Sequence, residues 1–313
     1  MSRHGKRKGD PVHGWLAVDK PRDITSTQIV GKLKRLMRAQ KAGHGGTLDP
    51  LADGILPIAF GEATKTAQWA MDCDKEYVFT IAWGASTATQ DAEGEIIARS
   101  DTRPSARALE HALCQFRGEI EQVPPKYSAI KIDGERAYDL ARDGETFEIP
   151  SRKVTVHAAQ LVEVGEDCAT VRIACGKGFY VRALARDLAA MLGAEGYVSQ
   201  LRRTRVGHMT ETLAIPFHDL EAMATDIEAL RARLLPLQSV LHDMPQIDVS
   251  ASDAAAIRQG REVMLLPHIL DDWRDQGGHE QPERLALTMG SGDPVALGEV
   301  RAGRFQPKRV FQL

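Results

Sequence analysis

Asp49 and Asp53 stand in the stretch GHGGTLDPLADG, residues 43–54, just behind Gly43, Gly45 and Gly46. A carboxylate so placed can serve as a general base or as a nucleophile. It can equally be a turn residue, because Asp tolerates left-handed backbone and the following Pro presets φ. The glycines strip side chains from the approach to Asp49, and glycine is used where backbone must come close to something. The loop lacks the Gly-Lys-Ser/Thr of a phosphate loop, and Leu48 takes the place of the third glycine of a dinucleotide fingerprint. No G-x-S-x-G elbow occurs, and no cysteine has an evident activating neighbour. An acid in a Gly-rich loop flanked by basic residues suits a carboxylate acting on a polyanion.

Arg182, in GKGFYVRALARDL, falls in the first turn of an expected helix. The helix dipole disfavours a cation there by roughly 0.3–1 kcal/mol, so an anion is expected beside it. Arg186 follows one turn later on the same face. The bland alternative is that both guanidiniums face solvent, and that Tyr77 and Tyr180 are ordinary core or interface aromatics.

The chain must supply elements that hold these groups. Its 313 residues allow two domains of unequal size, and 43% hydrophobic content allows a large core. No apolar run approaches the roughly 20 residues that span a bilayer, and the basic start MSRHGKRKGDP has no apolar segment behind it. A cytoplasmic location is expected, with no membrane association. Cys73, Cys114, Cys168 and Cys175 are scattered without C-x-x-C spacing, and no H-E-x-x-H occurs, so neither a disulfide framework nor a structural metal is expected. Net charge is only -3, but residues 1–41 carry 11 basic against 3 acidic side chains. That end would attract a polyanion, while the acidic remainder keeps the protein soluble.

GWLAV (14–18) reads as a buried strand, and STQIVGKLKRLMRAQ as a helix capped at Ser26 with Lys32, Lys34, Arg35 and Arg38 on its outer faces. ILPIAFG follows the loop as a strand or turn, and EATKTAQWAM as a helix. KEYVFTIAWG alternates, with Tyr77, Phe79, Ile81 and Trp83 on one face of a strand. PSARALEHALCQFRG reads as a helix, KYSAIKIDGERAYDLARDG as strand, turn and short helix, and EIPSRKVTVHAAQLVEV and CATVRIAC as strands. FYVRALARDLAAMLG is amphipathic, with Val181, Leu184, Leu188, Met191 and Leu192 on one side and Gly193 closing it. Strands and helices mix without steady βαβ alternation, which points to an α+β fold with a largely antiparallel sheet. A seam falls at residues 236–247. Beyond it come a short capped helix and strand, a polar loop HILDDWRDQGGHEQPE, and the strands RLALTM, PVALGEV and KRVFQL, a small β-rich module.

GHGGTLDPLADGILPIAFGEATK, KEYVFTIAWGASTATQDAEG, PPKYSAIKIDGERAYDLARDG and CGKGFYVRALARDLAAMLGAEGYVSQLRRTRVG occur in the order and spacing of the bacterial TruB-type tRNA pseudouridine synthases. The resemblance covers residues 14 to about 245. It implies the pseudouridine synthase fold, a mixed and largely antiparallel central sheet flanked by helices, over residues 1–245, with 1–13 a basic flexible tail. Residues 246–313 resemble the small PUA-type RNA-binding module of these enzymes.

The resemblance also assigns roles. Asp49 matches the catalytic aspartate, His44 the His that packs into the folded-back T-loop, and Tyr77 the Tyr that stacks on the base and is proposed to remove its C5 proton. Arg182 matches the Arg that pairs with the catalytic carboxylate; Tyr180 and Leu201 line the uridine pocket. The implied reaction turns uridine into pseudouridine at position 55 in the T-arm loop of tRNA, with no cofactor, metal, guide RNA or obligate protein partner. Two departures, Thr87-Ala88-Thr89 for Thr-Asp-Thr and Phe179 for Thr, bear on the pocket rim. The rival reading is a non-catalytic RNA-binding or RNA-folding protein. For that role the basic first 41 residues and the C-terminal module suffice.

Overall fold

The structure is a computed structural model that describes residues 9–128, 130–132, 135–136, 147–278, 280 and 285–313. Its strands run β1 (Gly14–Lys20), β2 (Ala42–His44), β3 (Asp53–Phe60), β4 (Lys75–Trp83), β5 (Ala85–Thr87), β6 (Ile96–Arg99), β7 (Gly118–Gln122), β8 (Lys131–Ile132) and β9 (Glu135–Arg136). They continue as β10 (Arg152–Val164), β11 (Cys168–Cys175), β12 (Gly196–Val206), β13 (Met209–Thr210) and β14 (Ile215–Pro216). The main sheet has the order β14-β1-β3-β12-β4-β11-β10-β7, with β2 paired to β3 and β13 to β12. Its pairings are antiparallel except β1 with β14 and β3 with β12. The α+β expectation with a largely antiparallel mixed sheet holds.

β1 and β3 read as continuous apolar runs because both of their faces are covered. Leu16, Val18, Leu56, Ile58 and Phe60 pack under α1 (Ser26–Leu36) and its neighbours, while Trp15, Ala17, Ile55 and Ala59 face the other way. β4 is buried at Phe79, Ile81 and Trp83, the alternation that its sequence shows. Helices α2 (Ala67–Asp72) and α3 (Ala106–Gln115) follow their expected segments, α2 after a 3-10 turn at Gly61–Thr66.

The cap of α1 is Thr25 rather than Ser26. Thr25 and Gln28 form a reciprocal capping box, which leaves the buried Ser26 hydroxyl for Leu48. On the Val181–Met191 helix, Val181, Leu184 and Leu188 are buried as expected, but Met191 is 48% exposed at the fraying end. The segment expected as a polar loop contains a helix, Pro267–Asp275, because Pro267 opens it and Trp273 packs into the core. β8 and β9 pair antiparallel; the expected Asp-Gly turn and the short helix expected up to Gly144 lie outside the described residues.

β15 (Gln246–Asp248), β16 (Val263–Met264), β17 (Leu285–Gly290), β18 (Asp293–Arg301) and β19 (Arg304–Val310) form a second sheet in the order β15-β17-β18-β19-β16. Leu287, Met289, Leu297 and Phe311 belong to the same apolar cluster as Trp15, Ile55 and Ala59, so the two sheets share a core. Among the described residues, no helix is long and apolar enough to cross a membrane.

Candidate active site

The loop that carries Asp49 is fastened by side chains from three directions. Ser26 Oγ donates to Leu48 O and accepts from Leu48 N, both at 2.9 Å. Lys20, fully buried at the end of β1, donates to Pro21 O, Ile24 O and Pro50 O, and Arg22 Nε reaches Leu51 O. Arg203, on β12, donates to Ile55 O at 2.7 Å, Gly46 O at 3.1 Å and Thr47 O at 3.3 Å. Burial pushes Lys20 down to about 8 against the pull of Asp53, Asp49 and Asp23.

Two glycines of the loop have definite reasons. Gly45 packs so tightly that a Cβ would lie 2.5 Å from Ala70 Cβ, and Gly54, at φ +99°, would bring a Cβ within 2.2 Å of Arg203 O. Gly54 thus lets β3 and β12 run side by side where Arg203 pairs with it.

Asp49 emerges from this cradle with its side chain 37% exposed, and Arg182 Nη2 meets its Oδ2 at 2.9 Å. Arg182 itself is only 6% exposed. Its Nη1 donates to Asp91 Oδ2 and Thr89 O, both at 3.0 Å, and Nη2 also donates to Tyr127 O at 3.1 Å. The anion expected beside Arg182 is therefore a pair of carboxylates, one open and one buried. Asp91 is held in turn by the Thr89 hydroxyl and Glu93 N, while the Thr87 hydroxyl bonds its carbonyl. Thr87 and Thr89 make these bonds and Ala88 is exposed, so the first departure falls where the network has no side-chain contact. Arg186 does not join Arg182. It pairs with Asp187 and donates to Val123 O.

Asp49 and Arg182 open into a cavity of about 350 Å³ that Tyr77, Tyr180, Leu201, Phe179, Arg152 and Arg203 also line. The register across β4 and β12 sets Leu201 against Phe79 and Arg203 against Tyr77, which aligns Tyr77 and Leu201 on one wall. Tyr77's hydroxyl end is deep: burial pushes its phenol up, and the adjacent Arg203 guanidinium opposes the rise. Tyr180 is pinned by Gln122, whose buried amide bonds both Tyr180 N at 2.8 Å and Tyr180 O at 3.0 Å. The Arg152 guanidinium lies over the Tyr180 ring at 4.8 Å.

Five of the six expected residues therefore line one cavity. His44 does not. It ends β2, half-buried, with Nδ1 buried and lacking a hydrogen-bond partner among the described residues, and burial, with the nearby Arg203, pushes its imidazole pKa down. Asp53 lies behind the loop, where it meets Arg202 at 3.1 Å. A larger recess of about 870 Å³, lined by Ser86, Gln90, Val123, Lys126 and Arg186, contains none of the six.

Sequence reading missed Lys20, Arg203 and Gln122. The one signal of Lys20 and Arg203 is charge within otherwise buried strands, as in AVDK and LRRTRV, a pattern that reads as a strand end or a solvated face; Gln122 ends the strand GEIEQ, whose other residues are exposed or half-buried, and carries no such signal.

The sequence model of the TruB family pseudouridylate synthase N-terminal domain matches residues 34–181, and that of the tRNA pseudouridylate synthase B C-terminal domain matches 182–242. The chain is 50% identical over 309 residues to the tRNA pseudouridine synthase B of Caulobacter sp. (strain K31), covering 98% of this chain and 99% of that one. It is 46% identical over 316 residues to the tRNA pseudouridine synthase B of Agrobacterium fabrum, covering 99% of this chain and 98% of the relative. Among solved structures, the fold matches a chain of a Cbf5-Nop10-Gar1 complex with a TM-score of 0.71 at 23% identity, over 96% of this chain and 85% of that one. A chain of an H/ACA RNP bound to a substrate RNA containing 2′-deoxyuridine matches with a TM-score of 0.70 at 21% identity, over 100% of this chain and 92% of that one. The structural likenesses speak for the fold alone. Identity at this level along nearly the whole chain decides the family, and the protein belongs to the TruB family of pseudouridylate synthases.

Proposed function

We propose that the protein isomerises uridine to pseudouridine at position 55 in the T-arm loop of tRNA, with Asp49 as the catalytic carboxylate. The observation that carries this reading is the Asp49–Arg182 contact of 2.9 Å at the mouth of a cavity sized for a nucleoside. A protein that only bound RNA would lose affinity by presenting a half-exposed carboxylate to a polyanion. An isomerase needs one there.

The reaction breaks the N1–C1′ bond, turns the uracil in place and joins C5 to C1′; C5 then gives up its proton while N1 takes one up, so the product is an isomer. Asp49 either attacks C1′ or removes the C2′ proton to give a glycal. Atoms and electrons balance without oxidant, water or nucleotide. Arg182 orients the carboxylate through the fixed geometry of its guanidinium, itself locked by Asp91 and two carbonyls. Tyr77 and Leu201, side by side on one wall, pack against the freed base. Tyr77 stands as a neutral phenol, so removal of the C5 proton through it requires Arg203 to carry the phenolate charge.

The target uridine must leave the loop's stack at a cost of a few kcal/mol. His44, outside the cavity on the strand that pairs with β3, takes the space left in the T-loop. The exposed Lys34 and Arg35 on α1, with Arg38 just past its end, contact phosphates, and residues 246–313 act as a PUA-like module that grips the rest of the tRNA. The same handling of the T-arm supports an accompanying role in tRNA folding. The protein works in the cytoplasm, without guide RNA, cofactor or obligate partner.

The test is tritium release from an unmodified T-arm stem-loop carrying C5-labelled uridine at position 55 alone, with purified protein and nothing added. Stoichiometric release is expected. No release, or equal release from a stem-loop labelled at another uridine, would refute the assignment.

A further inference from the structure

His208 sits in the turn between β12 and β13, and His242 and Asp243 sit in the segment leading into β15. These three side chains share no lining with the active cavity. One nitrogen or oxygen from each lies within 4.8 Å of those of the other two. His242 Nδ1 is 3.4 Å and His208 Nε2 3.7 Å from Asp243 Oδ1, and the two imidazole centroids are 4.1 Å apart, tilted at 41°. Donor atoms on a tetrahedral ion with bonds of about 2.0–2.1 Å stand roughly 3.4 Å apart. Two of the separations already lie near that value, and exposed side chains need only small rotations to complete the set.

The backbone beneath is fixed. Val206 and Met209 flank the first turn, and Leu241 and Met244 flank the second pair; all four are buried in the core shared by the two sheets. Gly207 N donates to Asp74 O at 2.9 Å, and Met244 N to Leu241 O at 3.0 Å. Cys73 walls the same crevice, close enough that a Cβ on Gly207 would stand 2.9 Å from its sulfur. The ligand atoms are thus carried on two rigid turns that face each other across the seam between the sheets.

We propose that His208, His242 and Asp243 bind one zinc ion, with its remaining position open to water, and that the ion ties the β12–β13 turn to the segment entering the C-terminal sheet. Two imidazoles and a carboxylate are the donor set that suits zinc. The ion would fix the second sheet relative to the catalytic one without touching the chemistry. Motif spacing could not show this site, because its ligands come from two segments far apart in the chain.

The test uses the full-length protein, stripped with chelator and titrated with Zn²⁺ by calorimetry, then with Co²⁺ followed by absorption. One ion per chain is expected, with a rise in Tm on zinc addition. His208→Ala, His242→Ala and Asp243→Asn should each weaken zinc binding by at least about 10-fold, the loss seen even for a metal's outer hydrogen-bond partners, and should abolish the Tm rise. Each variant's Tm without zinc serves as its own baseline, so a variant that is merely less stable is told apart from one that has lost the site. Absence of binding in the wild-type chain would overturn the proposal. So would an affinity that none of the three substitutions changes, since the zinc would then sit on other groups, such as the thiols.

Discussion

Replacing Asp49 with Asn separates what the carboxylate does for the reaction from what it does for the fold. Its partner Arg182 donates to four acceptors, and only one of them is Asp49. After Asp49→Asn, Arg182 still faces the buried Asp91 at 3.0 Å, so no uncompensated charge is left inside. The lost contact is on the 37% exposed side, where an ion pair contributes about 1 kcal/mol or less. Tm should therefore move by no more than a few degrees. Turnover should fall by at least about 10²–10⁴-fold, the usual worth of one positioned acid-base group. Arg182→Met provides the contrast. It strands Asp91, whose side chain is 2% exposed, and leaving a buried charge unpaired costs roughly 3–5 kcal/mol. Tritium release and thermal melts on both variants, with tRNA affinity measured alongside, check the division. An Asp49→Asn enzyme that keeps a tenth of wild-type turnover, or melts as low as Arg182→Met, would refute the reasoning.

Asp53→Asn should lower activity by less than about 10-fold, because Arg202 keeps Asp19 at 2.9 Å and Glu211 at 2.7 Å when Asp53 is neutral; an inactive variant would mark Asp53 as the catalytic acid. Neutralising Lys34, Arg35 and Arg38 together should flatten the log-log salt dependence of tRNA binding by up to about 2–3 units, and an unchanged slope would return α1 to a solvated face. Phe311→Ala should cost about 3–5 kcal/mol in urea unfolding, since that ring is 1% exposed in the core common to both sheets; deleting residues 250–313 should lower stability further, and a full-stability deletion would contradict the shared core. Lys20, at about 8 when folded and 10.5 in its ordinary state, binds its proton less tightly in the native chain. Its burial therefore destabilises below pH about 8, and that cost is relieved as pH rises toward 10.5, so the stability gap between wild type and Lys20→Met should change across that window and nowhere else. A gap independent of pH would show that Lys20 titrates normally.

The sequence by itself determined the elements whose signals are local. Alternation in β4, the apolar runs of β1 and β3, and the amphipathic pattern of α3 and the Val181–Met191 helix follow from side-chain periodicity and need no knowledge of partners. The four motifs likewise sufficed to mark Asp49, Tyr77, Tyr180, Arg182 and Leu201, five positions that the fold brings to one cavity. Tertiary structure alone decided what surrounds them. Arg182 reads as a cation in a first turn, and only the approach of the loop after β5 gives it a second, buried carboxylate in Asp91. Lys20 and Arg203 look like surface charges because their distant acceptors are invisible in the chain: besides Pro21 O and Ile24 O, which adjoin Lys20, these are carbonyls of the Asp49 loop and of β3, brought in by tertiary packing. His44 shares its motif with Asp49, yet strand pairing with β3 sends it out of the cavity. The strands of the C-terminal sheet were legible from their apolar runs. The burial of Leu287 and Phe311 against Trp15 was not, because an apolar residue in a strand does not say which sheet will cover it.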